Sequence, residues 1–107
     1  MTSPEERARS LERMLHKRPE DGRVRFALAV EYLNQGRTED GIRELQAYLT
    51  PSDDEGNAWG RLASALIELG RTDEARDAYR QGIAAAERHG HPTMAEEFAA
   101  ELDGLGE

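Results

Sequence analysis

The residues best suited to chemistry are two histidines in one short turn, His89-Gly90-His91. Imidazole nitrogens bind zinc, and Glu87 and Glu96 lie near enough along the chain to act as further ligands. Such a site would need a third ligand and two converging imidazoles, whereas histidine in a turn of this kind commonly caps a helix. We therefore expect the pair to end a helix and to bind no metal.

Acidic clusters are the second candidate for chemistry, and they occur at Asp53-Asp54-Glu55 and Glu96-Glu97. Paired carboxylates can perform acid–base catalysis, but both clusters fall in the predicted first turn of a helix, where negative charge stabilises the helix dipole. The chain has no cysteine, which removes thiol catalysis and cysteine-based zinc sites. It also lacks a glycine-rich phosphate loop and a nucleophile elbow. We expect no enzymatic activity, no cofactor and no metal.

The balance of charge argues against nucleic acid and membranes as partners. The 107 residues carry 22 carboxylates and 14 Lys or Arg, a formal charge of -8, so the field of the protein repels phosphate groups. The N-terminal segment is charged where a signal peptide needs an apolar run, and no stretch of the chain is apolar enough to span a bilayer. We expect a cytoplasmic protein that binds neither nucleic acid nor membrane.

Charge is also unevenly distributed along the chain. Residues 1–25 hold seven basic groups against five acids, whereas the segment from Thr93 onward holds five acids and no base. A head-to-tail contact between subunits, or a basic partner, is compatible with this pattern. The alternative is that both segments are ordinary solvated helix faces.

Capping residues and breakers divide the chain into six predicted helices without a strand. Ser3 before Pro4 begins the first helix, and the second covers about residues 22–35. Gly36 ends that helix, and Thr38 is predicted to cap the next one. A capping box at Ser52-Asp53-Asp54-Glu55 opens the fourth helix. The fifth is predicted to begin at Thr72, and the last follows Pro92-Thr93.

A repeat of 34 residues is the most informative pattern. Gly36-Arg37-Thr38 recurs as Gly70-Arg71-Thr72, and the same offset superposes Leu28-Ala29 on Leu62-Ala63. Two antiparallel helices repeated with this period resemble the tetratricopeptide repeat. The second unit fits the family pattern best, through Trp59, Leu62-Ala63, Leu66, Gly70, Ala75 and Tyr79, whereas the first unit has Arg25 where the family has Trp.

The resemblance implies an all-α fold, a short right-handed α-solenoid of antiparallel helical hairpins. We expect one tetratricopeptide-like domain over residues 1–107. Its predicted parts are an N-terminal capping helix at 3–19, repeat 1 at 22–55, repeat 2 at 56–89 and a C-terminal capping helix at 92–104.

The resemblance also implies a function, because partners of this family usually lie in a groove formed by the first helix of each hairpin. Family members that clamp a peptide carboxylate use Lys, Asn and Arg there, whereas the corresponding residues here are largely apolar. We therefore predict a scaffold or adaptor that binds a helix or peptide with apolar anchors, which basic groups could flank. The predicted groove residues are Arg23, Phe26, Val30, Leu33, Asn34, Asn57, Gly60, Ser64, Ile67, Glu68, Met94 and Phe98.

Two alternatives concern what covers these apolar residues. In the first, the last helix of the chain itself covers Phe26, Val30, Leu33 and Ile67, since apolar residues at helical spacing are most often core. In the second, the chain forms a homodimer through the groove or through the outer side of the first helix, around Ala8, Leu11 and Leu15.

Overall fold

The computed structural model describes residues 2–106, which form six α-helices and no strand. The helices are α1 (Pro4–Lys17), α2 (Gly22–Asn34), α3 (Thr38–Leu49), α4 (Asn57–Glu68), α5 (Thr72–Arg88) and α6 (Pro92–Gly104). The predicted all-α fold class is confirmed. No helix among the described residues is both long and apolar enough to span a bilayer.

Side-chain caps explain where three of the helices begin. Ser3 Oγ accepts a hydrogen bond from the Glu6 N–H at 3.1 Å, which confirms the predicted start of α1. The α2 helix begins where the Asp21 carboxylate accepts from the Val24 N–H at 3.2 Å. At α4, one oxygen of Asp54 accepts from the N–H groups of Gly56 and Ala58, both at 2.9 Å. These bonds satisfy N–H groups that have no partner within the helix.

Two of the predicted caps are wrong. The structure caps α4 through Asp54 rather than through Ser52, because the helix begins at Asn57, too far along the chain for a box that starts at Ser52. The N-cap residue of α3 is Arg37, and no side chain caps that end. Thr38 is instead the first helical residue and is buried.

Three hairpin turns share one backbone geometry. Gly36, Gly70 and Gly90 have φ angles of 77°, 74° and 76°, a left-handed conformation that residues with a β-carbon rarely adopt. In each turn the N–H after the glycine donates to a carbonyl five residues earlier, at 2.8, 2.9 and 2.8 Å. The α2–α3, α4–α5 and α5–α6 pairs are therefore closed by the same turn.

The helices form two compact units, α1–α3 and α4–α6, which divide between Ser52 and Asp53. In the first unit, Ala8 of α1 is buried with Leu28 and Tyr32 of α2, and Leu11 and Leu15 pack against this cluster. We predicted that the side of α1 around Ala8, Leu11 and Leu15 has no partner helix. That prediction is wrong, because α2 covers this side.

The second unit is built around small residues of α5. Ala75, Ala78, Ala85 and Ala86 are buried, and Gly82 leaves space for the Phe98 ring of α6 and the β-carbon of Trp59 in α4. Side chains of this size let helices approach closely. Both α4 and α6 consequently pack against α5.

Candidate protein-binding surface

The predicted groove residues of α2 lie in the first unit and differ in exposure. Arg23 and Asn34 are exposed, whereas Phe26, Val30 and Leu33 are half-buried. The Phe26 ring lies against that of Tyr48 in α3, with centroids 5.2 Å apart. Leu33 Cδ2 is 2.5 Å from the point where a β-carbon on Gly41 would lie. Part of this apolar surface therefore holds α3 on α2.

The predicted groove residues of α4 lie in the second unit, and four of them are exposed. Their spacing along α4 places all four on one helical face; they are Asn57, Ser64, Ile67 and Glu68. Ile67 is 37% exposed, which is high for a large apolar side chain. Gly60 is half-buried, because the Phe98 ring lies over it.

Met94 and Phe98 of α6 contact other helices of their own unit. Met94 Sδ is 2.8 Å from the point where a β-carbon on Gly56 would lie, and Phe98 Cζ is 2.6 Å from the same point on Gly60. The rings of Phe98 and Tyr79 are 5.7 Å apart. The structure therefore places both side chains in helix packing, and binding of a partner by them stays a prediction.

A shift of register explains why α6 packs in this way. Gly106, with φ 68°, ends α6 as Gly70 ends α4, but it comes 36 residues later rather than 34. On that offset Phe98-Ala99 corresponds to the core pair Leu62-Ala63. Phe98 is thus the counterpart of a core leucine, whereas the 34-residue offset had aligned it with Ser64.

An open cleft of about 440 Å³ lies between the helices of the first unit, and polar side chains of three helices meet in it. Arg25 donates to Glu44 at 2.6 Å and to the Pro19 carbonyl at 3.1 Å, which explains an arginine where the family has tryptophan. The Tyr32 hydroxyl donates to Glu12 at 2.8 Å. Burial and the Glu12 carboxylate raise the pKa of Tyr32 to about 12. These polar groups pair with one another, and the cleft is therefore a structural feature.

The two histidines lie beside the start of the second unit. His89 is the C-cap residue of α5, and its Nε2 is 3.1 Å from Asp53 without the alignment of a hydrogen bond. His91 Nε2 is 3.5 Å from Glu55. Arg88 donates to Asp53 at 3.0 Å and lowers the pKa of that carboxyl. Within residues 2–106, no group of three or more such side chains is arranged to hold a metal ion.

Comparison with known proteins identifies the family. The tetratricopeptide repeat model matches residues 6–56 and 26–89. The chain belongs to the tetratricopeptide repeat family. The family resemblance in the sequence is thereby confirmed, and tetratricopeptide repeat proteins generally mediate protein–protein interaction.

Individual relatives agree with this assignment. The chain is 32% identical over 92 residues to TPR repeat-containing protein PA0015 of Pseudomonas aeruginosa, an alignment that covers 86% of this chain and 88% of that protein. A crystal structure of MamA has the same fold, with a TM-score of 0.70 at 18% identity over 92% of this chain. A structure of MamA AMB-1 gives a TM-score of 0.68 at 22% identity, also over 92% of this chain. The chain spans 66% and 61% of these MamA chains, less than two thirds of their length.

Sequence reasoning missed a second surface groove, between α5 and α6. Its volume is about 460 Å³, and neither Lys nor Arg lines it. The 36-residue offset could have found it, because that offset aligns the half-buried Ala99 with the fully buried Ala63. The lining residues are Ile83, Glu87, Gly90, His91, Pro92, Ala95, Glu96 and Ala99.

Proposed function

We propose that this protein is a non-catalytic adaptor that binds a helix or an extended peptide of another protein. Each unit offers its own contact face, that of α2 in the first unit and that of α4 in the second, and each face belongs to the first helix of a complete hairpin. The exposed Ile67 beside Glu68 is the observation that carries the proposal, since an apolar anchor rimmed by polar groups is typical of peptide-binding surfaces.

The α2 and α4 faces suggest what the partner must supply. On α2, the half-buried Val30 lies between the exposed Arg23 and Asn34; on α4, Ile67 lies near Ser64. Apolar side chains of the partner fill the spaces beside Val30 and Ile67. Basic groups flanking those anchors gain from the net charge of -8.

The test compares two substitutions of similar exposure at the end of α4, one within the helix at Ile67 and one at the C-cap residue Leu69. Ile67 and Leu69 are 37% and 39% exposed, but only Ile67 lies on the proposed binding face. Circular dichroism first shows that wild type, Ile67→Glu and Leu69→Glu have equal helicity. The three proteins are then immobilised, and the proteins that each one captures are quantified by mass spectrometry. Val30→Glu is added to examine the α2 face.

We expect Ile67→Glu to remove a defined set of proteins that Leu69→Glu retains. A glutamate in an apolar anchor site weakens binding by about 2 kcal/mol or more, which is at least about 30-fold. Equal recovery with both variants contradicts the proposed surface. Loss of the same proteins with both variants shows that α4 stability, rather than the binding face, controls capture.

A further inference from the structure

The α4 and α6 helices of the second unit lie side by side and run in the same direction. Met94 of α6 contacts Gly56 at the start of α4. One turn further along both helices, Phe98 contacts Gly60. Because the two contacts advance by the same number of residues on each helix, positions along α4 can be matched in height with positions along α6.

Two exposed carboxylates of α6 border this contact. Glu97 follows Met94 by three positions, and Glu101 follows Phe98 by the same interval. This spacing places both glutamates on the neighbouring row of α6, on the side away from the α5–α6 groove. Both residues are exposed, and they lie one turn apart, with β-carbons roughly 6 Å from each other. The border of α6 beside α4 is therefore acidic.

Ile67 adds an apolar anchor further along the same surface. It follows Gly60 by seven residues, which is two turns, so it lies on the side of α4 that Phe98 contacts. Measured from the height of Gly60 and Phe98, Glu101 is three residues along its helix and Ile67 is seven along its own. The apolar anchor is therefore about 6 Å beyond the second carboxylate in the direction of the helix axes.

We propose that this α4–α6 face, formed by Glu97 and Glu101 of α6 with Ile67 and Glu68 of α4, binds a basic amphipathic helix of the partner, a proposal that rests on the adaptor function above. Two Lys or Arg side chains one turn apart pair with the α6 carboxylates. A large apolar side chain one turn further along contacts Ile67. The intervals on the face, each about 6 Å, match successive turns of a helix lying alongside α6.

The charges around the face favour this partner. Residues 53–107 contain no lysine and five arginines. Four of the arginines form ion pairs with acids outside the face, namely Arg71 with Glu74, Arg76 with Asp73, Arg80 with Asp77 and Arg88 with Asp53. The fifth, Arg61, lies about 100° round α4 from Gly60 and so away from the α6 side. A basic helix therefore brings the cations that complement the face.

Synthetic peptides of defined sequence are the probe. The test peptide is a fluorescein-labelled helix of alanine and glutamine with two arginines one turn apart and a leucine one turn further along. One comparison peptide has glutamate in place of both arginines, and another moves one arginine to the opposite face of the helix. Fluorescence anisotropy measures the affinity of each peptide for the full-length protein.

A matched pair of protein variants separates this face from the overall charge. Glu97→Gln with Glu101→Gln removes two charges from the face. The control, Glu96→Gln with Asp103→Asn, removes the same charge from the groove side of α6. All four residues are exposed, so neither variant alters a buried group.

We expect wild type to bind the test peptide about tenfold or more tightly than the glutamate peptide. The face variant should weaken that binding about fivefold or more at low ionic strength, and the control by less than about twofold. Equal losses in the face variant and its control, or equal binding of the two peptides, overturn the proposal. Failure of every peptide to bind at about 1 mM also overturns it.

Ile67→Glu distinguishes this proposal from the function on which it rests. It should weaken binding of the test peptide, whereas Leu69→Glu should not. Loss of binding with Ile67→Glu but not with the face variant overturns the basic partner and leaves the adaptor function standing. Loss with the face variant alone contradicts the Ile67 anchor and therefore both proposals.

Discussion

The Phe98 ring lies against the backbone of Gly60, with Cζ 2.6 Å from the point where a β-carbon would lie. The other edge of the ring approaches Gly82 of α5 at 3.0 Å from its β-carbon position. Two glycines on two helices thus leave the space that this aromatic side chain occupies. The packing of α6 against the rest of its unit depends on the absence of side chains at both positions.

Gly60→Ala should destabilise the protein by about 1–2 kcal/mol, because the displaced ring costs more than the gain in helix propensity. Combining it with Phe98→Leu should relieve the clash, so that the double variant is less destabilised than the sum of the two single variants by about 1 kcal/mol. Urea unfolding of all four proteins measures this coupling. Gly104→Ala is the control, because nothing lies within 4 Å of its β-carbon position; strict additivity would contradict the Phe98 contact.

Asp54→Ala should destabilise the protein by about 1 kcal/mol, since it leaves two N–H groups at the start of α4 without their acceptor. Ser52→Ala should change the free energy of unfolding by less than about 0.3 kcal/mol. Thermal and urea unfolding of the two variants decide between the carboxylate seen in the structure and the serine cap predicted from the sequence. A larger effect of Ser52→Ala would favour the serine.

Arg25→Met should cost about 2 kcal/mol, because it leaves the half-buried Glu44 carboxylate without its charged partner. The double variant Arg25→Met with Glu44→Met should recover most of that loss, since no buried charge then remains unpaired. Arg80→Ala removes an exposed pair with Asp77 and should cost less than about 0.5 kcal/mol. Chemical denaturation measures all three variants, and a double variant less stable than Arg25→Met would refute this account.

Raising the pH should destabilise the protein through Tyr32. Its pKa is raised to about 12 in the folded state, whereas an unfolded tyrosine titrates near pH ~10. The unfolded state therefore loses this proton first, and the stabilising contribution is complete below pH ~10 and is lost as the pH rises toward 12. Urea unfolding compares Tyr32→Phe with wild type from about pH 9 to about pH 12. Over that range the free energy of unfolding of Tyr32→Phe should fall less than that of wild type. Parallel pH profiles would show that Tyr32 does not contribute.

Most of the helices could be predicted from the sequence, because their ends are determined locally. Glycine at Gly36 and Gly70 and proline at Pro4 act through backbone conformation alone, and the structure confirms the helix ends they predict. The caps at Asp54 and Arg37 were not predictable in the same way. At α4, several neighbouring residues could accept the same N–H bonds, and only the path of the chain selects Asp54. At α3, the N-cap position falls on Arg37, whose side chain makes no cap bond.

The candidate surface was predicted less well from the sequence than the helices were. The 34-residue period correctly placed Ile67 and Ser64 on an exposed helix face, and their binding of a partner stays a prediction. The interval from Gly70 to Gly106 is 36 residues, two longer than that period. Extending the 34-residue period to α6 therefore assigned Phe98 to the groove rather than to helix packing. Helical periodicity identifies the buried side of a helix, but it does not say which neighbour covers that side.

The helix pairs with extensive contacts, α1–α2, α2–α3, α4–α5 and α5–α6, all join consecutive helices. Each contact therefore closes only a short stretch of chain, and the loss of entropy on closure is small. A protein of such low contact order should fold within about a millisecond. The repeat that gives this chain its exposed faces thereby also shortens the time during which those apolar faces are exposed to aggregation after synthesis.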